Sequence, residues 1–580
     1  MTACEAMSGW KRLDAAWCVL VFLILGSIYL GSRETQAIDS NYSLLLSETL
    51  LERGTFELDY PADEVLLQSA YQIDRRVPGK LYYLYPPGSP VLSLPMMAVA
   101  RSLGWTVFNE RGRFSYERES RLEQVFASII TAATGALLFV LGRQFLTTLW
   151  SVVLALAMGV GTQMYSTNSR GLWSDTWGGL LLAVVLWMLL ARREKQPPWW
   201  LMGTLLGWLY ITRPTYSVHI ALIGIYLLIE HRTMVWRVAV VAMIWLGVFM
   251  VWTWSIYGAL QPAYYRRAGG PAWHLLGENL GVWLVSPSRG LLTMVPLTIW
   301  IVAMLLWFWK RLPEQRFMML SAAVVVAHIF LISAYQTEFG GHSYGSRLTA
   351  SLVPWIAVLT AAGMSVLLRS RFRAGWLLTG AVFLGASFFV QWRGATAPAT
   401  WSWNYYPVDI CRTPEHGWNW RYPQWIAGLV DVPMYLPKTF PAWQGAGRLR
   451  FDRPEVEPYL AYHWSVAEEG YRWNKGRKPV LIFSGSSGEP GGIRMKLSSL
   501  GSQRMELELN GVKLTDIAAA DWETRVIEFP PGSVREKNVL RFWLPEARRP
   551  DGGHGEEREL GLCVAWMEFV SGAETEGTTR

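Results

Sequence analysis

The chain has 580 residues, 51% of them hydrophobic and 14% aromatic, with four cysteines and a formal net charge of +8. A mean hydropathy of +0.18 is too low for a pure transmembrane bundle and too high for a soluble enzyme, so it averages two unlike parts. The positive charge does not signal a nucleic-acid partner, because much of it lies in short loops between apolar runs, where it sets membrane orientation.

From residue 15 to about 392 the sequence is a series of apolar runs, each roughly the 20 residues that span hydrocarbon. The 33 tryptophans suit belts at the membrane surface. Lys11 and Arg12 precede the first run, at residues 15–30, and place the N-terminus inside. No small-residue cleavage site precedes Arg33-Glu34, so the run reads as a retained signal anchor. Residues 32–85 then form a long first outer loop. Asp39 opens it, in Ala37-Ile38-Asp39-Ser40-Asn41-Tyr42. The plain reading of Asp39 is an N-cap for a helix over 42–51, ended by Gly54 and amphipathic enough to lie on the bilayer; the functional reading is an outward-facing base. Tyr82, Tyr83, Tyr85 and Pro86-Pro87-Gly88 make a rigid aromatic patch, suited to belt anchoring or to stacking on a sugar or prenyl chain.

Residues 88–104 carry Pro90 and Pro95 and read as re-entrant or interfacial rather than spanning. Basic clusters at Arg192-Arg193-Lys195, Arg232 and Arg237, Lys310-Arg311 and Arg316, and Arg369, Arg371 and Arg373 follow every second later run. Setting them inside gives about eleven spans. Residues 166–174, 212–216, 258–290 and 335–347, and everything beyond 393, are then outside. Arg101, Arg111, Arg113, Arg118 and Arg121 fall outside against the rule, partly neutralised by Glu110, Glu117, Glu119 and Glu123.

The same outer face collects Arg170, Arg213, Arg266, Arg267, Arg289, Arg347 and Arg393. Each can snorkel or pair; together they suit a lipid-linked phosphate, which guanidinium grips bidentately. Asp175, just inside a span mouth, either assists Asp39 or pairs with Arg170. His342 and Glu338 would be metal ligands only on a regular helix, which Gly340 and Gly341 oppose, so bonding to sugar hydroxyls suits His342 better. Metal dependence stays open.

Beyond about 400 no spanning run appears. Residues 399–454 read as an aromatic, proline-rich connector. From 455 to 575, short strands at 480–483, 493–497, 505–509, 526–529 and 540–544 are separated by Gly, Pro and Asn, with Asn510-Gly511 a strong hairpin signal. They predict an antiparallel β-sandwich. Cys411 and Cys563 could share an oxidising compartment; none of the cysteines has metal-ligand spacing.

Taken together, Asp39 after the first span, Gly79-Lys80-Leu81-Tyr82-Tyr83-Leu84-Tyr85-Pro86-Pro87-Gly88, Arg213-Pro214, Ser286-Pro287-Ser288-Arg289-Gly290-Leu291 and the Gly-Gly-x-Ser-Tyr-Gly-x-Arg run at 340–347 resemble the GT-C superfamily of polytopic glycosyltransferases, near the bacterial relatives of protein mannosyltransferases. The resemblance covers most of 15–392. It implies an all-α polytopic membrane domain over 1–398 that moves a sugar from a polyprenyl-phosphate donor to a glycan, lipid or protein acceptor at the outer face of the plasma (inner) membrane, among membrane lipids and with inversion. It casts Asp39 as base with Asp175 beside it, and Arg213, Arg289, Arg347, His342, Tyr83 and Lys80 as donor contacts. Two departures stand out: Ser40 takes the place of a frequent second acid, and Ser346 that of a proline before the arginine. The tail is similar to galactose-binding, carbohydrate-binding sandwiches, with Glu559-Leu560-Gly561 near its last strand. A transporter or flippase of lipid-linked saccharide would keep its charges near mid-bilayer. A non-catalytic glycan-binding scaffold would need neither the glycine loop nor the outer arginines.

Overall fold

The computed structural model describes residues 12–32, 34–36, 39–58, 70–191, 198–261, 264, 270–335, 339–406, 408–430, 439–442, 447–465, 467–485, 490–519, 521–548 and 559–571. The chain forms two compact units, one of residues 1–404 and 413–430 and the other of residues 405–412 and 431–580. The connector expected at 399–454 is therefore divided between them.

The first unit is helical. Six helices among the described residues are long and apolar enough to cross a membrane: Leu13–Gly31, Tyr116–Gly142, Arg232–Tyr257, Gln315–Tyr335, Arg347–Leu367 and Arg373–Thr396. Three further apolar helices, Thr148–Gly161, Ser174–Leu190 and Pro214–Glu230, are shorter, and the sequence count of about eleven depends on such short elements. Arg347–Leu367 is the most enclosed of the six, with 89% of its apolar window buried, whereas Arg232–Tyr257, at 17%, lies at the periphery. The segment after Pro86-Pro87 folds as two short helices, Gly88–Leu92 and Leu94–Ser102, neither long enough to span.

Small residues set how closely the first helix packs, as expected where no hydrophobic drive separates protein from lipid. Leu25 fills a notch over Gly135 and Gly159, where an added Cβ would lie 2.3 and 2.5 Å from its side chain. Tyr29 donates to the Gly159 carbonyl at 2.8 Å. The chain leaving this helix is then clamped by Arg170, whose guanidinium donates to the carbonyls of Ser32 (2.8 Å), Glu34 (3.4 Å) and Tyr29. Gln36 returns a backbone bond to the Arg170 carbonyl at 2.9 Å. Arg170 therefore holds backbone, and Asp175 pairs with Arg213 instead.

The segment that follows the first helix builds its own core. Its helix, Ser43–Arg53, ends at Gly54 in the left-handed region (φ 64°), as the sequence indicates. It does not lie on the bilayer: Ser43 through Thr49 are all buried, with Leu44, Leu45 and Leu46 packed among Met97, Phe126 and Leu172. Two short strands, β1 (Ile73–Asp74) and β2 (Tyr82–Tyr83), pair antiparallel beside it.

The second unit is an antiparallel β-sandwich. Its strands are β3 (Leu449–Arg450), β4 (Leu460–Tyr462), β5 (Arg472–Trp473), β6 (Val480–Ser484), β7 (Pro490–Ser499), β8 (Gln503–Leu509), β9 (Val512–Ala519), β10 (Glu523–Glu528), β11 (Lys537–Trp543) and β12 (Leu562–Ser571). One sheet runs β10-β7-β12-β3 with β5 also on β12, and the other runs β4-β6-β11-β8-β9. Alternate residues such as Leu540 and Phe542 from one sheet meet Met495 and Leu497 from the other in a single core. Asn510 (φ 52°) and Gly511 (φ 90°) turn β8 into β9, the two left-handed residues that a tight hairpin requires. Among the described residues no disulfide joins Cys411 and Cys563.

Candidate active site

Asp39 sits where the clamped exit of the first helix meets the segment that leads into Ser43–Arg53. Its Oδ1 accepts from the hydroxyls of Tyr71 and Tyr85, each at 2.9 Å. Its Oδ2 accepts from Arg347 Nη2 at 2.7 Å. Tyr83 donates to the Asp39 carbonyl, also at 2.9 Å, so it fixes the backbone of the acid. The side chain keeps 27% exposure, which leaves the carboxylate open to solvent on one side. Burial pushes this carboxyl up, but the charge and hydrogen bond of Arg347, with the bonds from Tyr85 and Tyr71, outweigh it and hold Asp39 below its ordinary value.

The capping reading of Asp39 is not what the structure shows. The N-cap of Ser43–Arg53 is Tyr42, at φ 69° and with no side-chain cap bond. The helix start is satisfied from elsewhere: buried Glu119 accepts from the backbone N–H of Tyr42 (2.8 Å), Leu44 (3.1 Å) and Leu45 (3.0 Å). Glu123, one turn on, accepts from Ser40 Oγ at 2.6 Å and from the Leu172 N–H at 3.3 Å. These two acids do not neutralise nearby arginines. They anchor the peptide on the C-terminal side of Asp39 and release its side chain from capping.

Arg347 lies over the face of Trp173, with Cζ 3.6 Å from the ring centroid. It is only 11% exposed, and its Nε has no partner among the described residues. Behind it, Arg213 forms an ion pair with fully buried Asp175. Asp175 thus pairs with Arg213 rather than with Arg170 or Asp39. Burial lowers Arg213 to about 10, and the Arg347 charge adds to that fall, opposed by Tyr216, Tyr264 and Asp39. Tyr264 packs against Tyr85, the rings tilted by 45° with centroids 4.8 Å apart. Asp39, Arg347 and Arg213 therefore share one electrostatic neighbourhood, roofed by tyrosines.

Arg289 is placed differently. It is fully buried and donates to the carbonyls of Phe339 (2.8 Å), Ser288 (3.1 Å) and Gly341 (3.3 Å), to Asn404 Oδ1 (2.8 Å) and to Gln424 Oε1. It also lies over Trp403 at 5.6 Å. Its role as a donor phosphate contact is corrected to that of a brace for the glycine loop. Gln424 completes the brace, accepting from the Gly345 N–H at 3.0 Å and donating to the Ser343 carbonyl at 2.9 Å. Gly340, Gly341 and Gly345 adopt φ of 72°, 67° and 59°, conformations in which a side chain would be strained. His342 is half-buried in this loop; Glu338, Arg266 and Arg267 lie outside the described residues. Lys80 is exposed and pairs with Glu57 at 2.8 Å. A divalent ion on Asp39 would compete with Arg347 for Oδ2.

Sequence reasoning missed Tyr71, Trp173, Glu119, Glu123 and Gln424. Tyr85 was legible only as part of an aromatic patch.

No protein-family model and no curated protein matches the chain. Among solved structures it is similar to the oligosaccharyltransferase of Archaeoglobus fulgidus, in the apo form (12% identity, TM-score 0.43, 75% of this chain and 62% of that one) and in the complex with Zn and sulfate (12%, 0.39, 73% and 59%). It is also similar to ArnT from Cupriavidus metallidurans bound to undecaprenyl phosphate (11%, 0.38, 71% and 74%). The likeness is distant, with every TM-score below 0.5. The chain thus spans less than two thirds of the oligosaccharyltransferase's length.

Proposed function

We propose that this protein is a membrane glycosyltransferase that moves a sugar from a polyprenyl-phosphate carrier to an acceptor hydroxyl on the non-cytoplasmic face, with Asp39 as the base. The observation that carries this reading is the Asp39–Arg347 pair: a partly open carboxylate in contact with a guanidinium that still has an unspent N–H. A sugar 1-phosphate ester entering beside Trp173 offers oxygens to Arg347 Nε and Nη2. Drawing Nη2 toward the phosphate loosens its hold on Oδ2 and raises the basicity of Asp39 as the donor arrives.

The acceptor oxygen then attacks the anomeric carbon and gives its proton to Asp39 as the bond to the phosphate oxygen breaks. The carrier phosphate leaves with the electron pair, its charge met by Arg347, with Arg213 behind. Attack opposite the leaving phosphate inverts the anomeric centre. The phosphate ester is already activated, so positioning and charge stabilisation supply most of the rate. Arg289, Gln424 and the three glycines hold the loop that leads into Arg347, and the sandwich is proposed to bind carbohydrate. Mass spectrometry of polyprenyl-phosphate sugars and surface glycans, with and without the gene, tests the reading. One carrier-linked sugar should accumulate and one glycan substituent disappear in its absence; an unchanged profile of both would sink the proposal.

A further inference from the structure

The five arginines at 101–121 that break the orientation rule are unused by the site above. Between residues 99 and 125 the chain has five arginines against four glutamates, which looks nearly balanced. The fold changes that balance. Glu119 and Glu123 are 1% and 0% exposed and face inward, so the surface shows five arginines against Glu110 and Glu117 alone. Two of these arginines, Arg118 and Arg121, line a cavity of about 350 Å³ together with Gly104, Trp105, Thr106, Leu122 and Val125, within the usual range of roughly 300–1,000 Å³ for small-molecule sites.

The lining has the order of a lipid. Arg118, Arg121, Leu122, Val125 and Ile129 follow one another at helical spacing down one face of Tyr116–Gly142, a helix long enough to span. The cations stand at its mouth and the apolar residues below them. Leu103 and Trp105 are 66% and 53% exposed at the rim, where amphipathic rings meet headgroups. Competing acids hold the arginines weakly: Arg121 pairs with Glu117 at 2.6 Å with both side chains 75% exposed, and Arg118 lies 3.9 Å from Glu110. Exposed pairs of this kind contribute little, so a phosphate can replace them. Arg118 Nη1 is meanwhile aimed by its bond to the Phe108 carbonyl at 2.9 Å.

We propose that this cavity is a binding site for an anionic glycerophospholipid, with the headgroup phosphate between Arg118 and Arg121 and an acyl chain along Leu122, Val125 and Ile129. None of the lining residues contacts Asp39 or Arg347, so the site is separate from the proposed donor site and does not depend on the catalytic reading. Native mass spectrometry of the purified full chain tests it, with phosphatidylglycerol, phosphatidylcholine, undecaprenyl phosphate or inorganic phosphate added in turn. The wild type should retain phosphatidylglycerol over phosphatidylcholine. Each arginine replaced by glutamine should weaken that preference about fivefold, and inorganic phosphate should not displace the lipid. Arg121→Gln alone is informative if the double variant with Arg118→Gln fails to fold, because its bond is to an exposed glutamate. Trp105→Ala should lower retention of both phospholipids equally. Unchanged preference in Arg121→Gln, displacement by inorganic phosphate, or a wild-type preference for undecaprenyl phosphate at this site would each overturn the proposal.

Discussion

Replacing Arg347 by glutamine should move the acid limb of the pH–rate profile upward. Arg347 Nη2 lies 2.7 Å from Asp39 Oδ2, with exposures of 11% and 27%. Two unit charges about 4 Å apart interact by roughly 4 kcal/mol at an effective dielectric near 20, and the open side of Asp39 screens part of that. An aspartate beside an arginine is ordinarily lowered by about 1–3 units. In Arg347→Gln burial still raises Asp39, opposed by the two tyrosine bonds and the more distant charge of Arg213. The acid limb of kcat/KM, which reports the free enzyme, should therefore rise by about 1–2 units, about 1.4–2.7 kcal/mol at 1.36 kcal/mol per unit. The assay is transfer from a lipid-linked sugar by the membrane-embedded protein, followed from about pH 3 upward. Because the pair lowers the folded-state value, its contribution to stability is present above the ordinary aspartate value of 3.8 and fades as pH falls through the lowered one. The stability gap between wild type and variant should narrow there. Arg347→Lys keeps the charge, so the limb should stay near wild type while donor affinity falls with the lost fork. An unchanged acid limb in Arg347→Gln would refute the electrostatic argument.

Three other changes probe separate parts of the structure. Tyr85→Phe removes one of two bonds to Oδ1 and should lower kcat/KM about 10- to 100-fold with no loss of fold, as a bond to a charged acceptor contributes about 1.5–3 kcal/mol; a thermal melt alongside the kinetics checks this. Arg289→Lys should destabilise the protein by about 2–4 kcal/mol, because Gln424, Asn404 and several carbonyls lose buried donors. At permissive temperature it should leave donor KM near wild type. Asn510→Ala removes bonds to the Ser533 carbonyl, Asn538 Oδ1 and the Val539 N–H and a residue suited to φ 52°, so it should cost about 2–3 kcal/mol in denaturant unfolding of the sandwich.

The elements that repeat a simple period were readable in the sequence. Apolar runs mark the spanning helices, and alternation between Gly and Asn turns marks β6, β7, β8, β10 and β11. The short strands β3, β4 and β5, and β12 with Cys563 at its start, lack such punctuation and emerge only through pairing with distant partners. The helix over 42–51 has the amphipathic pattern of a surface helix, but its apolar face meets protein and its polar N-terminus meets Glu119, which no local pattern encodes. The site divides in the same way. Asp39, Arg347 and Arg213 stand out because charge at a span mouth is costly and therefore conspicuous. Their pairing does not, since Asp175 and Arg170 are near in sequence yet Asp175 binds Arg213. Arg289 carries the same surface signature as Arg347 but is buried on carbonyls and amides, a difference fixed by its contacts with Phe339, Asn404 and Gln424.

The central claim is that Asp39 takes the acceptor proton. Asp39→Asn keeps the volume and an oxygen for Tyr71 and Tyr85 while removing the base, so the direct measurement is the initial rate of sugar transfer by this variant from the carrier-linked donor, alongside its donor binding and melting temperature. The account predicts a fall of about 10²-fold or more with donor binding and folding retained. Transfer within a few-fold of wild type in the folded, donor-bound variant would contradict it.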